Sequence, residues 1–413
     1  MSCNRVASIK GESATKSFTS WSVGTKWFFR SCTCRALLAF RGAYRLNSSR
    51  VILGSGVLLD SRIQHLVEVS KQVISDCALE NGAIVAANGF KEYFPKEAKD
   101  YMYVWPRDAS FACVSADILQ MEKIQERFFD WCIQRAEGFR EGDCLCQNYS
   151  VNGPKASANF QPDQTGSLLW AIWHHFKGKL KRALKYEVLV KQAADGLCNK
   201  WKENHFDGTT NDLWEERFTF PDLEDNFTYS LAACIKGLRC ANEIVSNRKW
   251  MITADSMFQR LKEHYRDFFI RSYGRLSDER IDASTLGLVY PFDIFRADDP
   301  RILATVEQIE KKLVLRGGMH RYESDEYDGW MCGGRHRRKG AGAWPILNFW
   351  MSIYYAKLGN REKAIQYYNW PLERAQEFLP EQIFENDLQV SVRPLCWSHA
   401  MFIIASKELG YIQ

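Results

Sequence analysis

Residues 341–376 read AGAWPILNFWMSIYYAKLGNREKAIQYYNWPLERAQ, a stretch that holds two helical patterns. In each half, apolar residues recur at three- and four-residue spacing, and only the short link Leu358-Gly-Asn-Arg-Glu362 separates the halves. Longer links rich in Gly, Asp and aromatic residues lie on both sides, at 316–340 and 377–394. The stretch therefore predicts a helix hairpin with a short turn at one end and long loops at the other.

The same pattern continues through the chain from residue 61, where we count about twelve candidate helices. They fall near 63–80, 108–120, 122–137, 165–177, 184–203, 226–244, 249–269, 282–290, 299–315, 341–358, 360–376 and 395–409. Period-2 alternation is almost absent. Loops longer than about a dozen residues are usually functional in compact domains. We predict one all-α domain over 61–413, a ring of helix hairpins whose long loops meet on one face.

Residues 1–60 differ in composition from the rest of the chain. Residues 1–59 hold nine Lys and Arg and a single Glu, so the remainder carries a small negative charge and no basic stripe. We predict that 1–60 is a disordered or targeting segment. A nucleic-acid partner is disfavoured because the folded part lacks the positive surface that such partners require.

The remaining composition excludes several other classes of protein. The apolar run Val51–Leu59 is too short to span a bilayer, so no membrane association is expected. The 13 cysteines lack paired spacing, which indicates reduced thiols and a cytoplasmic protein, or an organellar one if 1–60 is a transit peptide. Without zinc-ligand spacing or a Gly-rich phosphate loop, we expect neither a metal nor a cofactor.

The first chemically suggestive cluster is YMYVWPRD at 101–108, directly before a predicted helix. Tyr101, Tyr103 and Trp105 offer flat faces for the C–H surface of a sugar ring. Arg107 and Asp108 can bind neighbouring hydroxyl groups through paired donors and acceptors. The alternative is an ordinary helix start, in which Asp108 caps the helix and the aromatic residues are core.

The second cluster is DLWEER at 212–217. A general acid that works near neutral pH needs a raised pKa, and burial beside Trp214 together with a neighbouring carboxylate supplies it. Glu215 and Glu216 are therefore candidate site residues. The alternative is a solvated acidic loop balanced by Arg217.

The third cluster is Pro-Glu-Gln at 380–382, which places Glu381 in a long loop ahead of Trp397 and the last helix. A base that activates water must be an ionised carboxylate held by hydrogen-bond donors, and Gln382 or tyrosines of other loops can donate. The alternative is a surface glutamate. Together, Glu215 and Glu381 suit glycosidic bond cleavage, which usually needs two carboxyl groups.

Two further stretches contribute polar and aromatic side chains. Asp163 precedes a helix and can either orient a ligand or cap that helix. Arg321 and Tyr322 follow a Gly-Gly turn and are followed by Asp325 and Tyr327, side chains of the kinds that bind sugars.

Taken in this order, the clusters resemble glycoside hydrolase family 15, the glucoamylase family. Its Tyr-x-Tyr-x-Trp-x-Arg-Asp motif matches 101–108, and its Arg-Tyr-x-x-Asp-x-Tyr motif matches 321–327. Its Leu-Trp-Glu-Glu motif implies that Glu215 is the general acid and that Glu216 binds substrate. Its Glu-Gln motif, followed by Leu-x-Trp-Ser, implies that Glu381 is the general base.

The resemblance covers about 61–413 and implies an (α/α)6 barrel with an inverting mechanism. The implied activity is an exo-acting α-glucosidase that releases β-glucose from the non-reducing ends of α-1,4-glucans or oligosaccharides. Trehalase activity or cleavage of α-1,6 linkages is the alternative within the family. A non-catalytic glucan-binding or regulatory protein is the alternative from another class, although both carboxyl groups are present.

Overall fold

The structure, a computed structural model, describes residues 51–53, 57–59, 61–329, 340–385 and 391–413. Its described part contains eleven α-helices: α1 (Ser61–Cys77), α2 (Pro106–Ile118), α3 (Ile124–Arg135), α4 (Pro162–His175), α5 (Glu187–Lys200), α6 (Thr228–Ile244), α7 (Arg248–Lys262), α8 (Pro300–Leu313), α9 (Pro345–Lys357), α10 (Arg361–Arg374) and α11 (Cys396–Glu408). There are also 3₁₀ helices at Leu180–Tyr186, Pro221–Leu223 and Ala283–Leu288.

Six elements form an inner ring: α2, α4, α6, the 3₁₀ helix Ala283–Leu288, α9 and α11. Each contacts the next, and α11 contacts α2, so the ring closes. The inner helices are buried along nearly their whole length, whereas α1, α3, α5, α7, α8 and α10 pack outside them and bury only part of their residues. This is the (α/α)6 barrel, and the predicted all-α fold is confirmed.

One predicted helix differs in kind from the structure. The region 282–290 forms the short 3₁₀ helix Ala283–Leu288 rather than an α-helix. Its chain passes very close to the inner helix α6, since a Cβ atom added at Gly287 would come within 2.8 Å of the Tyr229 ring. Pro291 follows soon afterwards and would end an α-helix, because proline has no backbone N–H and clashes with the preceding turn.

Three inner helices begin with proline at their first position: Pro106, Pro162 and Pro345. Proline suits this position because the first backbone N–H groups of a helix have no partner within the helix. The residue before a proline is restricted to an extended conformation, so the backbone of the preceding loop enters each of these helices in the same way. The preceding residues include Trp105 and Trp344, so both indole rings stand at the end of the barrel where the inner helices start.

The described part also has short strands, which were not predicted. They are β1 (Val51–Leu53), β2 (Val57–Leu59), β3 (Tyr103–Val104), β4 (Cys146–Ser150), β5 (Lys155–Phe160), β6 (Trp201–Lys202), β7 (His205–Phe206), β8 (Thr210–Asn211), β9 (Phe218–Thr219), β10 (Asn226–Phe227), β11 (Ser272–Tyr273), β12 (Val314–Leu315) and β13 (Gly318–Met319). Most span two residues, and register shifts between β4 and β5 disrupt the alternation that sequence patterns rely on.

The largest sheet has the order β3-β4-β5-β8-β9, with only the β5–β8 pair parallel. It connects the loop before α2 with the loop 212–217. In the N-terminal segment, β1 and β2 pair antiparallel, while residues 1–50, 54–56 and 60 lie outside the described residues. The disordered or targeting character of 1–60, and the domain boundary there, therefore stay predictions.

Candidate active site

A cavity of about 270 Å³ lies at the end of the barrel where the inner helices start. Eleven of the residues singled out from the sequence line it: Tyr101, Trp105, Arg107, Asp108, Trp214, Glu215, Glu216, Arg321, Tyr327, Glu381 and Trp397. The two candidate carboxyl groups, which are far apart in sequence, therefore share one small enclosure.

Asp212 holds the loop that carries Glu215. Its carboxylate accepts the backbone N–H groups of Glu216 (2.8 Å) and Arg217 (3.0 Å). Glu215 sits at the turn with a left-handed φ of 65°. Such a conformation is costly for a residue with a side chain and persists only where surrounding contacts enforce it. Burial raises the pKa of Asp212 to about 6.

Nitrogen donors surround the Glu215 carboxyl group. The Trp105 indole N–H donates to Oε1 (2.5 Å), and the Gln147 amide donates to Oε2 (2.6 Å). The Arg107 guanidinium lies 3.8 Å from Oε1. Burial raises the pKa of Glu215 to about 7, against the opposing influence of Arg107. This carboxyl group can therefore hold a proton near neutral pH, and donors stand ready for its ionised form.

Hydroxyl groups surround Glu381. Tyr101 donates to Oε1 (2.8 Å), and Ser391 donates to Oε2 at the longer distance of 3.4 Å. Tyr101 also contacts the hydroxyl of Tyr327 at 3.1 Å. Burial raises the pKa of Glu381 to about 7, while the hydrogen bond from Tyr101 acts to lower it. The expectation of a tyrosine donor from another loop agrees with this arrangement, but Gln382 instead accepts the backbone N–H of Gly342.

Arg107 links two of the candidate sugar-binding residues, Asp108 on α2 and Asp163 on α4. It donates to Asp108 and Asp163, both at 3.1 Å, and its guanidinium lies 5.1 Å from the centre of the Trp397 ring. Burial raises the pKa of Asp108 to about 6. The alternative that Asp108 caps α2 is wrong, because the helix starts at Pro106 and the capping position is occupied by Trp105.

Glu216 belongs to a separate charged group on the other wall. It accepts from Arg321 (2.7 Å) and from the Tyr322 hydroxyl. Arg321 is buried and also binds Asp325 through two hydrogen bonds, at 2.7 and 2.8 Å. The cation is enclosed by aromatic rings, with ring centres 5.0–5.4 Å away at Trp214, Tyr322, Tyr327 and Trp344. This wall therefore offers both charged and flat surfaces.

Three of the predicted residues support the lining instead of joining it. Tyr103 lies in β3 with its ring at the edge of Trp105, the fully buried Asp163 holds Arg107, and Tyr322 holds Glu216. Asp163 does not cap α4, since Gln161 occupies that position. Sequence reasoning missed Gln147, Ser391 and the cavity-lining Lys99. Single polar residues in loops and short strands give no pattern that marks them.

The described residues hold no cluster of three or more His, Cys, Asp or Glu side chains suited to a metal ion. Within the same residues, no helix combines the length and apolar character needed to cross a membrane.

The chain is similar to several known proteins. The model of the family described as "Glycosyl hydrolases family 15" matches residues 69–374. An uncharacterised glycosyl hydrolase of Methanocaldococcus jannaschii is 32% identical over 356 residues, which is 79% of this chain but only 52% of the relative, so the chain spans about half its length. An isomaltose glucohydrolase of Kribbella flavida is 24% identical over 393 residues, covering 85% of this chain and 94% of that protein.

Among solved structures, a glycosidase variant in complex with glucose has a TM-score of 0.70 at 23% identity, covering 86% of this chain and 100% of that one. At that identity the likeness concerns the fold. The family match covers most of the chain, so it shows the family as well as the fold. It agrees with the ordered motifs and the closed helical ring. The chain belongs to glycosyl hydrolase family 15.

Proposed function

We propose that the protein is an inverting, exo-acting α-glucosidase in which Glu215 is the general acid and Glu381 the general base. Glu215 protonates the glycosidic oxygen while Glu381 removes a proton from the attacking water, and β-glucose is released. The observation that carries this proposal is that both carboxyl groups line one cavity of about 270 Å³. The catalytic domain in this proposal is 61–413.

The surroundings of the two groups support this division of roles. Glu215 must end the reaction as a carboxylate, and the N–H donors of Trp105 and Gln147 already point at its two oxygens. Glu381 must end as a neutral acid, and the hydroxyl groups of Tyr101 and Ser391 can turn to accept its new proton. Each carboxyl group thus has neighbours suited to the state it reaches after proton transfer.

The size and lining of the cavity favour a terminal sugar. Its volume is below the roughly 300–1,000 Å³ of pockets that hold drug-sized ligands, which suits one ring better than a chain. We propose that the terminal glucose stacks on Trp105 and is held by Arg107 and Asp108, while Glu216 and Arg321 bind its hydroxyl groups from the opposite wall. The glycosidase that shares the fold was solved in complex with glucose.

The proposed linkage is α-1,4, in maltooligosaccharides or dextrins. A second candidate is α-1,6, as in isomaltose. The observation that favours it is that the chain covers 94% of the isomaltose glucohydrolase of Kribbella flavida. The described part of the chain holds nine buried, unpaired cysteines, which support a cytoplasmic location and hence soluble substrates.

Proton NMR of the fresh enzyme with maltotriose, isomaltotriose and trehalose, each in a separate sample, tests this proposal. We expect the β-anomeric signal of glucose to appear first, with the α signal growing later through mutarotation. Early β-glucose from isomaltotriose alone would select the α-1,6 candidate. Turnover of trehalose alone would rule out both the α-1,4 and the α-1,6 linkage and indicate a trehalase. Early α-glucose from maltotriose or isomaltotriose would contradict the inverting mechanism, whereas inverting hydrolysis of trehalose releases one α-glucose and one β-glucose.

A further inference from the structure

Gln147, on β4, contacts Glu215 but has no place among the family motifs. We infer that Gln147 is the positioning residue of Glu215: a directed set of hydrogen bonds fixes its side-chain amide so that the N–H, and not the carbonyl, faces the carboxyl group that donates the proton. The inference rests on the proposed role of Glu215 as general acid.

Three donors meet at the carbonyl oxygen of Gln147. The Ser157 hydroxyl lies 3.0 Å from Oε1, the Asn159 amide 2.9 Å and the Asn211 amide 3.1 Å. A side-chain amide can be turned end for end at little cost in shape, so its hydrogen-bond partners decide its orientation. Turning Gln147 would place its NH₂ against the NH₂ groups of Asn159 and Asn211 and its carbonyl against the Glu215 carboxylate, so these contacts would be lost.

Backbone groups fix the direction of this set. The N–H of Asp212 donates to Asn211 Oδ1 at 3.0 Å, which leaves the Asn211 amide NH₂ to donate to Gln147. The N–H of Asn159 donates to the Ser157 hydroxyl oxygen at 3.4 Å, so that hydroxyl uses its proton on Gln147. A backbone N–H can only donate. The main chain therefore determines the polarity of Asn211 and Ser157, two of the three side chains that donate to Gln147.

The largest sheet, β3-β4-β5-β8-β9, supplies Gln147 and its three donors. Gln147 lies on β4, Ser157 and Asn159 lie on β5, and Asn211 lies on β8 next to the loop that carries Glu215. The sheet thus holds one oxygen of the Glu215 carboxyl group through Gln147, while Trp105, directly before α2, holds the other.

The consequence is chemical as well as geometric. A hydrogen bond to the ionised form of a carboxyl group lowers its pKa, and that from Gln147 opposes the effect of burial on Glu215. Loss of this donor should raise the pKa of Glu215 further. The acid would stay protonated to higher pH, but it would give up its proton less readily and would be less well placed.

The test compares Gln147→Leu with the wild-type enzyme by the pH dependence of kcat/KM, using maltotriose and α-glucosyl fluoride. With maltotriose we expect kcat to fall about 10- to 100-fold and the basic limb of the profile to move up by about one pH unit, the worth of one hydrogen bond to a charged group. The acidic limb, set by Glu381, should not move. Fluoride leaves without protonation, so its release should change little.

Gln192→Leu is the matched control. The Gln192 amide on α5 donates to the backbone carbonyls of Phe139 and Arg140, and it lines no part of the cavity. This change should leave both limbs and the ratio of the two substrates at wild-type values. If Gln147→Leu does not fold, the double variant Ser157→Ala/Asn159→Ala removes two of the three donors to Gln147 and should move the basic limb in the same direction by less.

An unmoved basic limb, or an equal loss with both substrates, would overturn the role of Gln147. Glu215→Ala separates this outcome from failure of the proposed function. If Glu215→Ala keeps full activity on maltotriose, Glu215 is not the acid and the underlying proposal fails. If it loses that activity while the Gln147 variants keep wild-type profiles, only the positioning role is wrong.

Discussion

The two carboxyl groups of the cavity share a raised pKa but differ in their neighbours. Glu215 faces an indole and an amide whose N–H groups cannot become acceptors, and Arg107 lies close by. Glu381 faces the hydroxyl groups of Tyr101 and Ser391, which can donate or accept. Burial explains why the pKa of both groups lies near 7, while the type of donor distinguishes a group prepared to lose its proton from one prepared to gain it.

The difference extends to the chain around each group. Glu215 sits on a short loop closed by Asp212 and supported by the sheet. Glu381 lies in a long link, where its own N–H donates to the carbonyl of Val392 at 2.8 Å. The acid is therefore held from several directions, and the base depends on fewer contacts.

Removal of the base should have the largest effect. Glu381→Gln keeps the size of the side chain, and the adjustable hydroxyl groups can accommodate its amide. We expect kcat to fall about 10³- to 10⁴-fold on maltotriose and equally on α-glucosyl fluoride, because both reactions need an activated water. Steady-state kinetics measure both values. Wild-type turnover of either substrate would remove Glu381 from this role.

The pH dependence of the wild-type enzyme should show the raised pKa of both groups. Activity should fall as the pH drops below about 7, because Glu381 becomes protonated, and should fall again as the pH rises above about 7, because Glu215 loses its proton. We expect a narrow bell centred near pH 7 in kcat/KM, with losses of about 25-fold two pH units to either side. A flat profile between pH 5 and 9 would contradict the acid–base pair.

Loss of one hydroxyl should affect only the base. Tyr101→Phe removes the closer donor to Glu381, so the pKa of Glu381 should rise and the acidic limb should move to higher pH. We expect kcat to fall by about tenfold at neutral pH. Ser391→Ala, which removes the longer contact, is the graded control and should shift the limb less. Movement of the basic limb instead would reverse the assignment of the two groups.

The smallest expected effect is on stability. The pKa of Glu381 in the folded protein lies above its ordinary value of 4.5. The neutral carboxyl group therefore contributes its full stabilisation below about pH 4.5, and this stabilisation is lost as the pH rises through about 7. Glu381→Gln should therefore raise the free energy of unfolding by about 1–2 kcal/mol at pH 8 and by little at pH 4. Denaturant unfolding at the two pH values measures the difference.

Glu215→Gln should gain less than Glu381→Gln at pH 8. The glutamine NH₂ would face one of two N–H donors that cannot turn, whereas the hydroxyl groups around residue 381 can. Equal gains would contradict the contrast between fixed and adjustable donors.

The sequence predicted the features that follow regular patterns. Helical periodicity located the inner and outer helices, and the aromatic and acidic clusters around Arg107 and Glu215 marked most of the cavity. It did not predict the short strands, whose bulges break the alternation. It also missed Gln147 and Ser391, because a lone polar residue gains its role only from partners that the fold brings near it. The ring of aromatic residues around Arg321 likewise depends on tertiary packing.

The most direct test of the acid–base pair compares Glu215→Ala and Glu381→Ala on substrates with different leaving groups. Maltotriose needs a proton on its leaving oxygen, and α-glucosyl fluoride does not. We expect Glu215→Ala to lose most activity on maltotriose, about 10²- to 10⁴-fold, while it retains much of its activity on the fluoride. Glu381→Ala should lose both activities. Equal losses on the two substrates in Glu215→Ala would contradict its role as the acid.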